Sequence, residues 1–139
     1  MNILFANYGD CTSNSLNHIG AFANQLTKLG HTCIVAIPDH PESVEVLGSS
    51  LFSVRVFDRC LEQPALFPDR RPADLIHTWT PRENVRKFTM AYLAMAPNAR
   101  LVVHLEDNEA HLTSSFTKLS QEELADLSDT DLAGRIPDN

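Results

Sequence analysis

The sequence is poor in glycine, with five in 139 residues, and none of them forms GxGxxG or GxxxxGK[ST]. Dinucleotide binding of the usual kind and P-loop hydrolysis are therefore not expected. GxSxG is missing too, which excludes an α/β hydrolase built on a nucleophile elbow. Cysteine is scarce: Cys11, Cys33 and Cys60 are odd in number, widely spaced and without a CxxC pair. Such a set builds neither a disulfide framework nor a thiolate metal site. Cys33 lies in an apolar run and reads as core, whereas Cys11 sits in a loop and is expected toward the surface. No apolar run approaches the roughly 20 residues needed to span a bilayer. The start, Met1-Asn2-Ile3-Leu4-Phe5, lacks a basic n-region and a small-residue cleavage site. No signal peptide is expected, and a cytoplasmic location is.

Positive charge makes no stripe along the sequence. Net charge is −7, and its distribution is uneven. Residues 1–105 carry nine acidic and nine basic side chains, whereas residues 106–139 carry nine acidic and two basic. With no basic stripe, nucleic acid is not an expected partner. The acidic tail reads as solvated short helices.

Periodicity supplies the elements. Ile3-Leu4-Phe5-Ala6 is a short apolar run that reads as a buried strand. Asn7 to Thr12 is rich in turn residues. Leu16, Ile19, Phe22, Ala23, Leu26 and Leu29 then recur at helical spacing, which predicts a helix over 14–29. Ser13 is its expected N-cap and Gly30 its left-handed C′ residue. Cys33 to Ile37 is a second strand, stopped by Pro38. A strand, a helix and a strand within forty residues require a right-handed crossover and parallel pairing.

One or two helical turns are expected from Pro41 to Leu47, with the proline near N1. Phe52 to Phe57 alternates and reads as a third, more exposed strand. Residues 58–73 hold Pro64, Pro68 and Pro72 and read as an irregular loop, with a short helical piece around Leu66. Asp74 to His77 is a fourth strand. Thr80-Pro81-Arg82-Glu83 reads as a capping box with proline at N1. The helix it opens is expected to end near Ala96 and to bury Val85, Phe88, Tyr92 and Met95. Leu101 to Leu105 is a fifth strand. Ser120 with Glu123 and Ser128 with Asp131 predict capped short helices and no further strand. The fold class is thus α/β: a Rossmann-like open, mainly parallel sheet with helices on both faces, three layers in all, forming one domain over 1–139.

In such a sheet, ligands bind beyond the carboxyl ends of the strands, near the point where strand order reverses. That rule selects three loops, 7–13, 77–81 and 104–109. Gly9 precedes a helix N-terminus, where free N–H groups favour a phosphate, although a tight turn also calls for glycine. His77 and Trp79 alternate along a strand and share a face. An aromatic ring there serves as a platform for a sugar face or simply covers the following helix. Glu106, Asp107 and Glu109 crowd the third loop. Close carboxylates raise one another's pKa and supply a general base, hold a divalent cation, or cap the next helix. His18, His31, His40 and His111 show no ligand spacing, so no metal is expected.

The chain resembles the amino-terminal domain of GT-B glycosyltransferases of the retaining group 1, family 4 kind. Four pieces within roughly residues 1–110 carry the likeness. They are Ile3-Leu4-Phe5-Ala6 with its glycine loop, Leu26 to Val35 with its Gly30-His31 pair, Ala73-Asp74-Leu75-Ile76-His77 onward to Pro81, and Leu101 to Asp107. The resemblance implies a hexosyltransferase-like enzyme that moves a sugar from a nucleotide-sugar, itself the donor substrate, to a glycan or small-molecule acceptor, with no separate cofactor. Glu106 and His77 would be the catalytic residues on the cleft floor. Gly9 and Asp10 would lie by the donor diphosphate, and Tyr8, Asn14, Trp79, Thr80 and Asp107 would contact substrate. The donor domain has no counterpart in this chain, so the chain alone is expected to be inactive. Peripheral membrane contact of a full-length enzyme and homodimerisation through apolar surface follow as further expectations. Departures are Asp10 in place of a second glycine, Glu106 where the family often has histidine, and Trp79 where a second histidine is common. The competing reading is a non-catalytic flavodoxin-like or receiver-like binding module, although a receiver carries its acids after the first strand.

Overall fold

A computed structural model describes residues 1–80 and 82–135. Five strands form one sheet: β1 (Asn2–Ala6), β2 (Thr32–Ile37), β3 (Ser53–Val56), β4 (Leu75–Trp79) and β5 (Arg100–His104). Their order is β3-β2-β1-β4-β5, and every pair is parallel. Strand order reverses between β1 and β4, which creates the crevice expected of this topology.

Helices cover both faces. Helix α1 (Asn14–Lys28) packs on one face; α2 (Phe57–Glu62) and α3 (Glu83–Met95) pack on the other. The side chains of β1 divide between the two because strand residues alternate. Ile3 and Phe5 join Leu16, Ile19 and Ala23 of α1. Leu4 and Ala6 join Phe57, Val85, Phe88 and Tyr92. All five β1 residues are buried, so the strand reads as a continuous apolar run rather than an alternating one. Each such large side chain contributes about 1.5–3 kcal/mol on burial. The three-layer α/β/α Rossmann-like fold is thereby established.

Local chemistry explains the element ends. Helix α1 closes in a Schellman motif: Gly30 N–H donates to Thr27 O at 3.0 Å, and His31 N–H to Leu26 O at 3.0 Å. Gly30 takes φ 88°, a region where a Cβ is costly. Ser13 occupies the N-cap position but makes no side-chain cap bond; its hydroxyl instead accepts from Asn7 Nδ2 at 2.7 Å. At the amino end of the sheet, Asn2 N–H donates to Asp74 Oδ2 at 2.7 Å and Asp74 N–H to Asn2 O at 2.8 Å, which latches β4 to β1. The Tyr92 hydroxyl accepts from Ala73 N–H at 3.0 Å and donates to Pro64 O at 3.0 Å, tying the 63–74 segment to α3.

Several expectations are corrected. The segment after β3 is not all loop: Phe57–Glu62 is helical, because Phe57 stacks on Phe88 with centroids 4.1 Å apart and Cys60 is buried beside it. Packing, not propensity, makes this helix. Cys11 is buried rather than superficial, and its N–H donates to Ser43 Oγ at 2.9 Å. Phe22, Leu29 and Met95 are exposed, since each sits at the rim of its helix stripe. Residues 41–47 form a 3-10 helix with Pro41 in its first turn.

Helix α3 starts at Glu83, not at Thr80. Both halves of the predicted capping box are engaged elsewhere. The Thr80 hydroxyl donates to Glu106 Oε2 at 2.8 Å, and the Glu83 carboxylate holds Arg86 Nε at 2.6 Å. Pro81, the expected N1 residue, lies outside the described residues. In the tail, α4 (Glu109–Thr117), α5 (Gln121–Ala125) and α6 (Asp129–Ala133) are short. The Ser120–Glu123 capping box forms in full. At Ser128 the hydroxyl accepts from Asp131 N–H at 3.2 Å and donates back to its carboxylate at 2.6 Å. Among the described residues, no helix is long and apolar enough to cross a membrane.

Candidate functional site

The site forms where β1, β4 and β5 end. Their carboxyl ends lie side by side because Ala6 pairs with Thr78 and Trp79 pairs with His104. Helix α1 leaves the β1 loop at this end, and its first turns face the end of β5. The gap is an open cleft of about 480 Å³. Asn14, His18, Phe22, Trp79, His104, Leu105, Glu106 and Asp107 line it.

Glu106 is the most constrained polar group in the cleft. Its Oε2 accepts from the hydroxyl of Ser15, a buried residue in the first turn of α1, in a short hydrogen bond, and from Thr80 Oγ1 at 2.8 Å. One carboxylate thus joins the helix that follows β1 to the loop that follows β4, across the point of strand-order reversal. Desolvation pushes its pKa up, but the Ser15, Trp79 and Thr80 donors, with help from His18, outweigh it, and the net shift is downward. The Trp79 indole N–H acts through proximity, because Nε1 has no partner of hydrogen-bonding geometry. A carboxyl below its ordinary value is ionised at neutral pH and is a weak base. The expectation that crowded acids raise one another's pKa to make a general base is corrected here: hydroxyl and indole donors, not neighbouring carboxylates, surround Glu106.

Fixing that carboxylate strains the backbone. Thr80 adopts φ 46°, a conformation that a β-branched residue rarely takes and that costs on the order of 1–2 kcal/mol. Thr80 N–H donates to His104 O at 2.9 Å, and Arg82 N–H donates to Thr80 O at 2.7 Å. Extension of the β4–β5 ladder past Trp79 therefore holds the turn.

Beneath the carboxylate lies a set of rings. Trp79 is 1% exposed, so it is the floor of the cleft rather than an open platform. It is buried against α1, in the cluster of Phe5, Leu16 and Ile19, rather than over the helix that follows Thr80. His104 stacks on it at 3.7 Å with planes 9° apart. His18 lies parallel at 6.4 Å, and Phe22 tilts against it at 5.5 Å. His77 is half-buried, 5.2 Å from both Phe5 and Trp79 and 5.8 Å from His104. Burial, then the nearby His104, lowers its pKa, so it is neutral at pH 7, and Nε2 is buried without a partner.

Of the residues singled out from sequence, Asn14, Trp79, Thr80, Glu106 and Asp107 converge here, with His77 below. The first loop does different work. Asp10 Oδ1 accepts from Thr12 N–H at 2.8 Å and Thr12 Oγ1 at 2.6 Å, which lowers the Asp10 pKa. Its carboxylate closes a turn. A Cβ at Gly9 would stand 3.2 Å from Ser13 Cβ, so a side chain there would have to push Ser13 aside by a few tenths of an ångström. Tyr8 carries the Arg82 guanidinium over its ring at 4.8 Å, and its carbonyl accepts from Asn84 Nδ2 at 2.8 Å. Ser15, His18 and Phe22 lie outside the three loops that the strand-end rule selects, whereas His104 opens the third. Asn14, His18 and Phe22 recur every fourth residue, a stripe legible in the sequence; Phe22 had been assigned to the core.

Among the described residues, no three His, Cys, Asp or Glu side chains gather as a metal site. Compared with known proteins, the chain matches no family model, no curated protein and no solved structure.

Proposed function

We propose that this chain is the acceptor-side half of a GT-B glycosyltransferase and that the cleft at α1 and β5 receives the acceptor. The observation that carries the reading is Glu106. It is an ionised carboxylate held by Ser15 and Thr80 across the strand-order reversal, at the price of a strained Thr80 backbone. Strain of this kind persists where surrounding structure over-determines a position, and it clusters at functional sites.

An acceptor sugar offers hydroxyl donors and an apolar ring face. Glu106 and Asp107 accept from the hydroxyls, and Asn14 both donates and accepts. Phe22 and His104 supply the flat surfaces, and buried Trp79 holds them in place. His77 is neutral, and its Nε2 is enclosed. It acts as a positioning residue through its contacts with Trp79 and His104. The nucleotide-sugar is taken mainly by a second domain, so transfer requires both.

Saturation-transfer NMR of this chain with a panel of monosaccharides, glycans and nucleotide-sugars tests the reading. Acceptor glycans are expected to bind saturably, with contacts at Phe22 and His104, and Glu106→Gln should weaken them about tenfold or more, since hydrogen bonds to a charged group contribute about 1.5–3 kcal/mol. No saturable sugar binding, or binding indifferent to Glu106→Gln, would overturn it.

A further inference from the structure

We propose a second binding site, for a phosphoryl anion, in the groove between β3, α2 and the 63–74 segment. The groove encloses about 460 Å³ and is lined by Arg55, Arg59, Arg70, Glu62, Gln63 and Leu66 among others. Three guanidinium groups reach it from three different elements: Arg55 from β3, Arg59 from α2 and Arg70 from the segment that follows.

Their charges are mostly unanswered. Arg59 pairs with Glu62 at 2.8 Å. Arg55 Nη1 donates only to the neutral Val54 carbonyl, at 2.8 Å. Arg70 has no ion pair among the described residues. Its neighbour Arg71 is answered twice, by Asp69 at 2.9 Å and Asp74 at 3.6 Å. The groove therefore holds three cations against one carboxylate, in a chain whose net charge is −7.

Arg70 adds a second observation. It adopts φ 59°, held by its N–H donating to Phe67 O at 2.8 Å above the buried Phe67 side chain. Glycine or asparagine fits that turn at less cost. The turn instead presents a guanidinium at the groove. Planar guanidinium forks match phosphoryl oxygens in pairs, which makes arginine the preferred residue for such anions. The site stands on the β3 edge, the opposite edge of the sheet from β5, so it is separate from the Glu106 cleft and does not rest on the glycosyltransferase reading.

The phosphoryl group could belong to a soluble phosphate compound or to a lipid headgroup. The test titrates the full chain with inorganic pyrophosphate at low and high salt, followed by 1H–15N NMR, and separately sediments it with vesicles containing phosphatidic acid. Saturable shifts at Arg55, Arg59, Gln63 and Arg70, weakened by salt, are expected. Shifts without vesicle capture assign a soluble ligand; vesicle capture that pyrophosphate competes away assigns a headgroup. Arg70→Gly is expected to weaken pyrophosphate about tenfold while retaining or raising Tm, because glycine accepts the left-handed turn. No saturable shifts, shifts confined to the Glu106 cleft, or wild-type affinity in Arg70→Gly would overturn the proposal.

Discussion

Residues 1–100 and residues 101–135 are stabilised in different ways. The first stretch holds two apolar clusters on either side of a parallel sheet. From Leu101 onward, no described residue is buried. The boundary falls at β5, whose Leu101, Val102 and Val103 are 45%, 42% and 50% exposed although their backbone pairs fully with β4. Beyond it, α4, α5 and α6 are held by caps and local bonds. Apolar burial stabilises a helix more than capping does, and helices this short are marginal alone. The cleft lies at the boundary: its fixed wall comes from the packed stretch, and Glu106 and Asp107 come from the first residues of the other.

The comparison breaks most readily in the core. Ile76→Ala, at a fully buried position, is expected to cost about 2–5 kcal/mol in urea denaturation. Phe116→Ala, on the exposed face of α4, should stay within about 0.5 kcal/mol. Equal losses would show that the tail is part of the cooperative core.

A smaller effect is expected at Gly30. Gly30→Ala meets no atom within 4 Å, so only the backbone resists it, at a cost of about 1 kcal/mol. Ser120→Ala removes a complete capping box yet should leave the global melt unchanged while speeding amide exchange in α5 alone. A global loss from Ser120→Ala would join the two regions.

Acid titration separates the groups of the cleft. The folded pKa of His77 is lowered, so the unfolded chain takes the proton first. Stability should fall as pH drops below 6.5, the ordinary value, and level off below the folded pKa. His77→Asn should flatten that slope in pH-dependent melting. The folded pKa of Glu106 is lowered too, so stability again falls as pH drops, here because a favourable interaction of the charged form is lost. Its contribution is present above 4.5, the ordinary value, and is lost as pH falls through the folded pKa. Wild type and Glu106→Gln should therefore differ above that value and converge below it. Parallel curves would remove Glu106 from the network, and this is the smallest of the expected differences.

Much of the fold was legible in the chain. Ile3 to Ala6 and Cys33 to Ile37 are unbroken apolar runs, and Gly30 stands one residue past a helical stripe. Short-range rules are sufficient there because apolar period and turn chemistry are read from adjacent positions, even where the paired strands are distant in sequence. The Phe57–Glu62 helix was not legible, since its stability comes from Phe88, thirty residues away in the chain. The site divides the same way. Trp79, Thr80, Glu106 and Asp107 lie in loops that the rule for strand ends selects, and Asn14 came from the family resemblance. Ser15 and His18 lie outside those loops, and their roles depend on which side chains α1 brings over β4 and β5.

The sequence by itself determined a parallel α/β unit opening at Ile3, with Glu106 at a strand's carboxyl end. Hydrophobic period and turn chemistry act locally, and they suffice for that much. Only the tertiary structure decided that Glu106 is anchored by Ser15 and Thr80 with its pKa lowered, and that Trp79 is a floor rather than a platform. Both outcomes depend on which donors and rings surround a group, and those surroundings come from Ser15, Thr80 and His104, which only the folded sheet brings together.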